Sequence, residues 1–293
     1  MPDSKKADTL DMKELQSQYG WVASILNSDP ELKRLFKRAT AKGWTAEKFQ
    51  VELRSTRWYK RNGEAYRNGL VQKKADPATF KANVEQVRTR LGMMASEFGA
   101  VVGEKTLAKM AEQAYMLGWD DNQIRQQLSG YVRFTDGRML GQAGQWETEL
   151  RNYARDMGVN ISNKTIRNAV QRAIEGARTI EDAKNDLRET AISAFPNLAD
   201  RLRSGETVAD VMDPYRQTMA SLLEMDPDQI SLRDRQIRQA LSGQGPDGQP
   251  ALTTLYDFEK QVRSDARWLK TKNARDTMMS GAQRLLSDWG LVS

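Results

Sequence analysis

The sequence predicts an all-α protein, an elongated array of many helices with internal helical repeats. Three observations carry that expectation. Apolar residues recur at three- and four-residue spacing along most of the chain, and no alternating stretch is long enough for a strand. Four of the eight prolines follow Asp, at Asp29-Pro30, Asp76-Pro77, Asp213-Pro214 and Asp226-Pro227, and each pair predicts a helix start. Asp can cap the helix, and Pro at the first helical position gives up only an N–H that had no partner. Finally, blocks of sequence recur in the same order within the chain, the mark of a repeated helical unit.

Taken in order, residues 1–10 read as a frayed tail and residues 11–75 as an N-terminal helical unit. A first helix is expected to about Asn27, carrying Leu15, Tyr19, Val22, Ala23 and Leu26. A second starts at Asp29-Pro30-Glu31, carries Leu32, Leu35, Phe36 and Ala39, and ends at Gly43, where a left-handed residue is wanted. Trp44-Thr45 restarts a helix through Phe49 and Leu53.

Residues 76–134 form a first central repeat. Its long helix, Pro77 to about Phe98, spaces Phe80, Val84, Val87, Leu91, Met94 and Phe98 as a near-heptad stripe suited to lengthwise packing in a bundle. Residues 135–145 read as a glycine-rich linker, and residues 146–212 as a second central repeat offset by 59. Met94-Ala-Ser-Glu-Phe98-Gly99 aligns with Tyr153-Ala-Arg-Asp-Met157-Gly158, and Glu104-Lys-Thr-Leu107 with Asn163-Lys-Thr-Ile166. Gly118 and Gly176 end the next helices, and Asp120 and Thr179 cap those that follow.

Residues 213–293 read as a C-terminal unit related to the N-terminal one. Ala23-Ser-Ile-Leu-Asn-Ser-Asp29-Pro30 is matched by Ala220-Ser-Leu-Leu-Glu-Met-Asp226-Pro227, and Arg57-Trp58-x-Lys60 by Arg267-Trp268-x-Lys270. Between the two halves of this last unit, residues 242–250 are rich enough in Gly and Pro to predict an exposed, mobile loop. The final helix carries Trp268, Met278, Leu285, Leu286 and Trp289.

Composition bounds the chemistry. With 39% hydrophobic residues, 29% charged residues and a mean hydropathy of −0.71, the 293-residue chain is polar for its size, as an elongated or modular shape would be. It has no Cys, which excludes disulfides and thiolate metal sites, and no His, which removes the commonest general base, metal ligand and pH switch. The first residues carry no apolar run of a signal peptide, and no segment approaches a membrane span, so a cytosolic protein is expected.

The net charge of +6 is unevenly placed: residues 1–80 hold 16 Lys and Arg against 10 Asp and Glu, and residues 81–293 hold 29 of each. Arg54, Arg57, Lys60, Arg61, Arg67, Lys73 and Lys74 surround Trp58, Tyr59 and Tyr66, with Glu64 as the only acid between residues 54 and 74. Together with Trp58, these basic residues are the candidate anion or partner contacts. Phosphate neutralisation with aromatic stacking is one use of such a stretch, a protein interface is a second, and a packed Trp beneath a solvated basic face is the third.

Gly103-Glu-Lys105-Thr106 lacks the Lys directly after Gly that a phosphate loop needs. Asp120-Asp121 and Asp226-Pro-Asp228 read as helix starts, without the further oxygen ligands of a calcium loop. A glycosidase-type acid and base pair would need two distant helices facing each other across a groove, which sequence does not display. No catalytic residue, cofactor or metal site is therefore assigned.

Asp29-Pro-Glu-Leu-Lys-Arg-Leu-Phe36, Gly43-Trp44-Thr45, Arg57-Trp58 and Trp268-Leu-Lys-Thr-Lys-Asn-Ala274 together resemble minor structural, or minor tail-type, virion proteins of tailed phages infecting actinobacteria. The resemblance implies a non-enzymatic component of the particle, acting through contacts with other virion proteins in several copies. It would be made in the host cytoplasm and carried into the virion. The alternative expectation is a virion protein that meets DNA through residues 54–74.

Overall fold

The computed structural model describes residues 25–26, 28–244, 248–249 and 251–289. Among the described residues the chain is all-α: fifteen α-helices and three short 3-10 turns, with no strand and with isolated β-bridges such as Ala100 to Val132 and Thr135 to Arg138. The expected tail at 1–10 and the first helix lie outside the described residues, apart from Ile25 and Leu26, which are helical and buried, and exposed Ser28. Contacts divide the chain into two compact units, residues 1–144 with 174–177, and residues 145–173 with 178–293.

In the first unit, α1 (Pro30–Ala41) begins where Asp29 accepts hydrogen bonds from the N–H groups of Glu31 and Leu32 at 2.7 and 3.3 Å. It buries Leu32, Leu35, Phe36 and Ala39, and Gly43 turns the chain at φ +56°. Helix α2 (Ala46–Ser55) is capped by Thr45 and packs Phe49 edge-on against Phe36. After the short α3 (Arg57–Arg61), α4 (Glu64–Ala75) lies against a pair formed by α5 (Pro77–Phe98) and α6 (Glu104–Leu117). The near-heptad stripe of α5 faces this layer, with Phe80, Leu91 and Phe98 buried and Val84, Val87 and Met94 half-buried.

Gly99 ends α5 in the left-handed region, and a Cβ there would fall 1.9 Å from the Leu140 carbonyl oxygen. Two backbones cross at that point, so only glycine fits. Helix α7 (Asp121–Ser129) carries a capping box between Asp120 and Gln123. The expected linker at 135–145 is a tight turn only in its first part, where Asp136 and Gly137 both have positive φ; from Gly141 the chain is already in α8 (Gly141–Asp156).

The second unit contains α9 (Asn163–Ile174, up to residue 173), α10 (Ile180–Ala194), α11 (Ala199–Arg203) and α12 (Val208–Leu223), followed by α13 (Arg235–Leu241), α14 (Leu255–Arg263) and α15 (Lys272–Asp288). Gly158 and Gly176 take the left-handed conformation after α8 and α9, as Gly99 and Gly118 do after α5 and α6. Thr179 caps α10. The core gathers on α12, whose Val208, Val211, Met212, Tyr215, Met219, Ala220 and Leu223 are buried against residues that include Ile237, Phe258 and Trp268.

Two Asp-Pro pairs depart from expectation. Pro214 lies inside α12, which starts instead at the Thr207–Asp210 capping box. An interior Pro costs about 3 kcal/mol. Here its ring is on the exposed face, and seven buried side chains on either side, each contributing about 1.5–3 kcal/mol for the large ones, outweigh that cost. Asp226-Pro227 opens only the 3-10 turn Pro227–Gln229. Of the loop expected at 242–250, residues 245–247 and 250 lie outside the described residues; its edges are tied by Ala251 N–H to Gly243 O and by Asn197 Nδ2 to Gly243 O, both at 3.0 Å.

Candidate functional site

The basic stretch begins at the junction of α2 and α3. Thr56, buried, donates its hydroxyl to Leu53 O at 2.6 Å and accepts from Tyr59 N–H at 3.1 Å, so it closes one helix and caps the next. Glu31, on the first turn of α1, completes the cap from 26 residues away: its two carboxylate oxygens accept from Arg57 N–H at 3.2 Å and Trp58 N–H at 2.9 Å. The Trp58 N–H, followed by that of Arg57, holds the Glu31 carboxyl below the usual carboxylate range.

The candidate residues differ in how far the fold engages them. Trp58 is half-buried against the cluster of Leu26, Leu32 and Phe36, so its ring serves packing. Arg67 stacks its guanidinium 3.8 Å from the Tyr59 ring centre and donates to Tyr59 O and Asn62 O. Lys73 pairs with Glu112 at 2.5 Å and lies 5.6 Å from the Phe80 ring centre. Arg54, Arg57, Lys60, Arg61 and Lys74 are exposed and form no side-chain ion pair among the described residues. Arg57 and Arg61 line one open cleft of about 560 Å³ together with Arg34, Asp29, Glu31, Trp58 and Tyr66. Of the eight candidates, then, Arg57 and Arg61 share a cleft, Arg67 and Lys73 are engaged within the fold, Trp58 is a packed ring, and Arg54, Lys60 and Lys74 are exposed outside that cleft.

The sequence match at Arg267-Trp268-x-Lys270 has different surroundings. Arg267 pairs with Asp234 at 2.8 Å and Asp265 at 2.9 Å, and Trp268 is buried in a 3-10 turn. The feature that recurs geometrically lies four residues later. Thr271, buried, donates to Trp268 O at 2.7 Å and caps Ala274 N–H at 3.1 Å, while Glu224 accepts from Lys272 N–H at 2.9 Å and Asn273 N–H at 2.7 Å. These two N–H groups also hold the Glu224 carboxyl below the usual range. Each unit thus contains a buried Thr cap and a distant glutamate gripping the first two amides of a helix. In this geometry the counterpart of Trp58 is Asn273, not Trp268.

Comparison with protein-family models, curated proteins and solved structures found no match to this chain. Among the described residues, no group of three or more Asp or Glu is placed to hold a metal ion, and no helix is long and apolar enough to cross a membrane.

The feature that sequence reasoning missed follows the second clamp. Over its 17 residues α15 buries only Ala274. Met278, Met279, Leu285, Leu286 and Trp289 are 56%, 59%, 55%, 38% and 71% exposed. At 100° per residue they fall within one arc that also contains Ala274, Ala282 and a single charged residue, Arg275, with Asp276, Ser280, Gln283, Arg284 and Ser287 on the other side. The stripe that seats the first turn of α15 on its unit runs on uncovered to the end of the helix. Sequence displays such a stripe but not whether anything covers it.

Proposed function

We propose that the protein is a non-enzymatic structural component of a phage particle, working through contacts with other virion proteins and present in several copies. The observation that carries this reading is the uncovered apolar face of α15. A stripe more than about 100° wide is what a helix presents to a core, and a contiguous exposed apolar face on a polar protein marks a contact surface. Its chemistry suits the apolar face of another helical protein. The phage setting rests on the resemblance of the Asp29–Phe36, Gly43–Thr45, Arg57–Trp58 and Trp268–Ala274 segments, and assigns assembly to the host cytoplasm and residence to the virion. Mass spectrometry of purified particles tests the reading: the protein should be present at several copies, and its absence would overturn it.

A second reading is favoured by Arg34, Arg57 and Arg61 sharing one cleft, with exposed Arg54, Lys60 and Lys74 along the same stretch. It makes the protein a DNA-contacting virion component. Affinity for duplex DNA would then fall steeply with salt and drop on charge reversal of Arg57, Lys60 and Arg61. Binding unchanged by those substitutions would remove this reading.

A further inference from the structure

A cleft of about 670 Å³ in the second unit has none of the residues of the second clamp in its lining. Its five positively charged lining residues are Arg151, Arg155, Arg216, Arg233 and Arg238, and none is Lys. They come from α8, α12, α13 and the segment leading into α13, so the fold collects them from across nearly ninety residues of sequence. Between them the lining is mostly apolar, with Val159, Phe195, Met212, Ile230 and Leu232 among the contributors, and is interrupted by Asp156, Asn160 and Ser231.

Neighbouring acids neutralise only part of this charge. Arg151 pairs with Glu147 at 2.8 Å, and Arg216 with Asp213 at 2.7 Å and Asp228 at 3.9 Å. Arg155 reaches Asp156, which also lines the cleft, at 3.4 Å. Arg233 and Arg238 are exposed and have no ion-pair partner among the described residues. The Nε of Arg216 is buried and hydrogen-bonds to nothing. Guanidinium groups present planar forks that match carboxylate or phosphate oxygens two at a time, which an ammonium does not. A cleft of this volume with an apolar lining and a few converging polar groups has the form of a ligand site.

We infer that this cleft binds an acidic segment of another protein, in which a carboxylate side chain meets Arg233 and Arg238 while a neighbouring bulky apolar side chain enters between Phe195, Met212 and Leu232. The apolar lining selects this ligand over a nucleic-acid backbone, whose binding calls for an open cationic track and stacking rings. The inference stands apart from the phage reading and does not use α15.

The test uses the full chain and fluorescence anisotropy with a labelled decapeptide of alternating Glu and Leu. Two further probes are the same peptide with Lys for Glu and a ten-nucleotide thymidine oligomer. The acidic peptide should bind saturably, and R233E/R238E should weaken it by about tenfold or more, with R233K/R238K intermediate because charge is kept and the fork is lost. Both positions are exposed, and an unchanged thermal transition would show that the variants fold. The M278Q/L285Q variant of α15 should bind as the parent does. The inference is overturned by absence of saturable binding, by equal binding of R233E/R238E, or by equal affinity of the Lys peptide. It is also overturned if the oligonucleotide binds at least as tightly and is lost in the same variants, which would make the cleft a phosphate site.

Discussion

Replacing Met278 and Leu285 of α15 by Gln separates a contact surface from a core more sharply than any other change in this chain. Gln has nearly the helix propensity of Met and Leu, so the helix itself is preserved. The two side chains are 56% and 55% exposed. Full burial of such a side chain contributes about 1.5–3 kcal/mol, so the part left uncovered corresponds to about 1–1.5 kcal/mol for each. Covering both by a partner is worth about 2–3 kcal/mol, or roughly a 30- to 150-fold change in association constant. Folding gains almost nothing from the same atoms. Stability should change by less than about 0.5 kcal/mol, as for ordinary surface substitutions, and a thermal midpoint by less than about 2 °C. The assay is competition: tagged parent and M278Q/L285Q chains supplied together during infection, with the ratio of the two read in purified particles. The variant should be depleted at least about tenfold while melting like the parent. Equal incorporation would refute the role of this face, and a midpoint lowered by more than about 5 °C would show that these side chains serve packing within the fold.

Further expectations follow from the clamps and the glycine crossing. T271V keeps the shape of Thr271 and removes its hydroxyl, so it should cost about 1–2 kcal/mol in chemical denaturation and speed amide exchange at residues 272–274, whereas unchanged exchange would contradict the cap. Glu31 and Glu224 both have folded-state pKa values below their unfolded ones, so the stability they add is present above about pH 4.3 and is lost as pH falls through the folded values. E31Q/E224Q should therefore show a shallower loss of stability in acid than the parent, though not a flat one, because Asp182, Asp210 and Asp265 are depressed as well; an identical acid slope would contradict the clamps. Gly99→Ala must move the Leu140 carbonyl and should cost more than about 2 kcal/mol, whereas Gly137→Ala, also at positive φ but with no neighbour within 4 Å, should cost about 1 kcal/mol. Similar losses for the two would show that the close crossing adds nothing.

Local signals made much of the fold legible. The bounds of α5, Pro77 and Phe98, could be read directly, because Asp76 caps the first turn and Gly99 supplies the left-handed stop. The same logic placed Gly118, Gly158 and Gly176 at helix ends. It failed at Pro214, where a local rule met a tertiary one: burial of α12 along its whole length keeps the helix through a residue that would end it in isolation. It failed differently at the repeated Arg-Trp-x-Lys. The shared letters suggest equivalent tryptophans, but the geometry that recurs is set by Glu31 with Thr56 and by Glu224 with Thr271, pairs 25 and 47 residues apart with no common spacing.

The candidate site was legible only as composition. That residues 54–74 are basic is plain, but the engagement of Arg67 with Tyr59 and of Lys73 with Glu112 depends on where α4 and α6 come to lie. The same holds, more strongly, for the arginine cleft, whose residues are scattered between positions 151 and 238 and have no signature until α8, α12 and α13 meet. Apolar periodicity in α15 was visible, and exposure was not, because a stripe at helical spacing reads alike whether covered by its own fold or by another protein.

The proposed role, a particle component held by protein contacts, is tested most directly on the particle itself. Quantitative mass spectrometry of purified particles measures that directly. The protein should be found there at several copies per particle, at a fixed ratio to the other structural proteins and resistant to salt washing; its absence from washed particles would contradict the account.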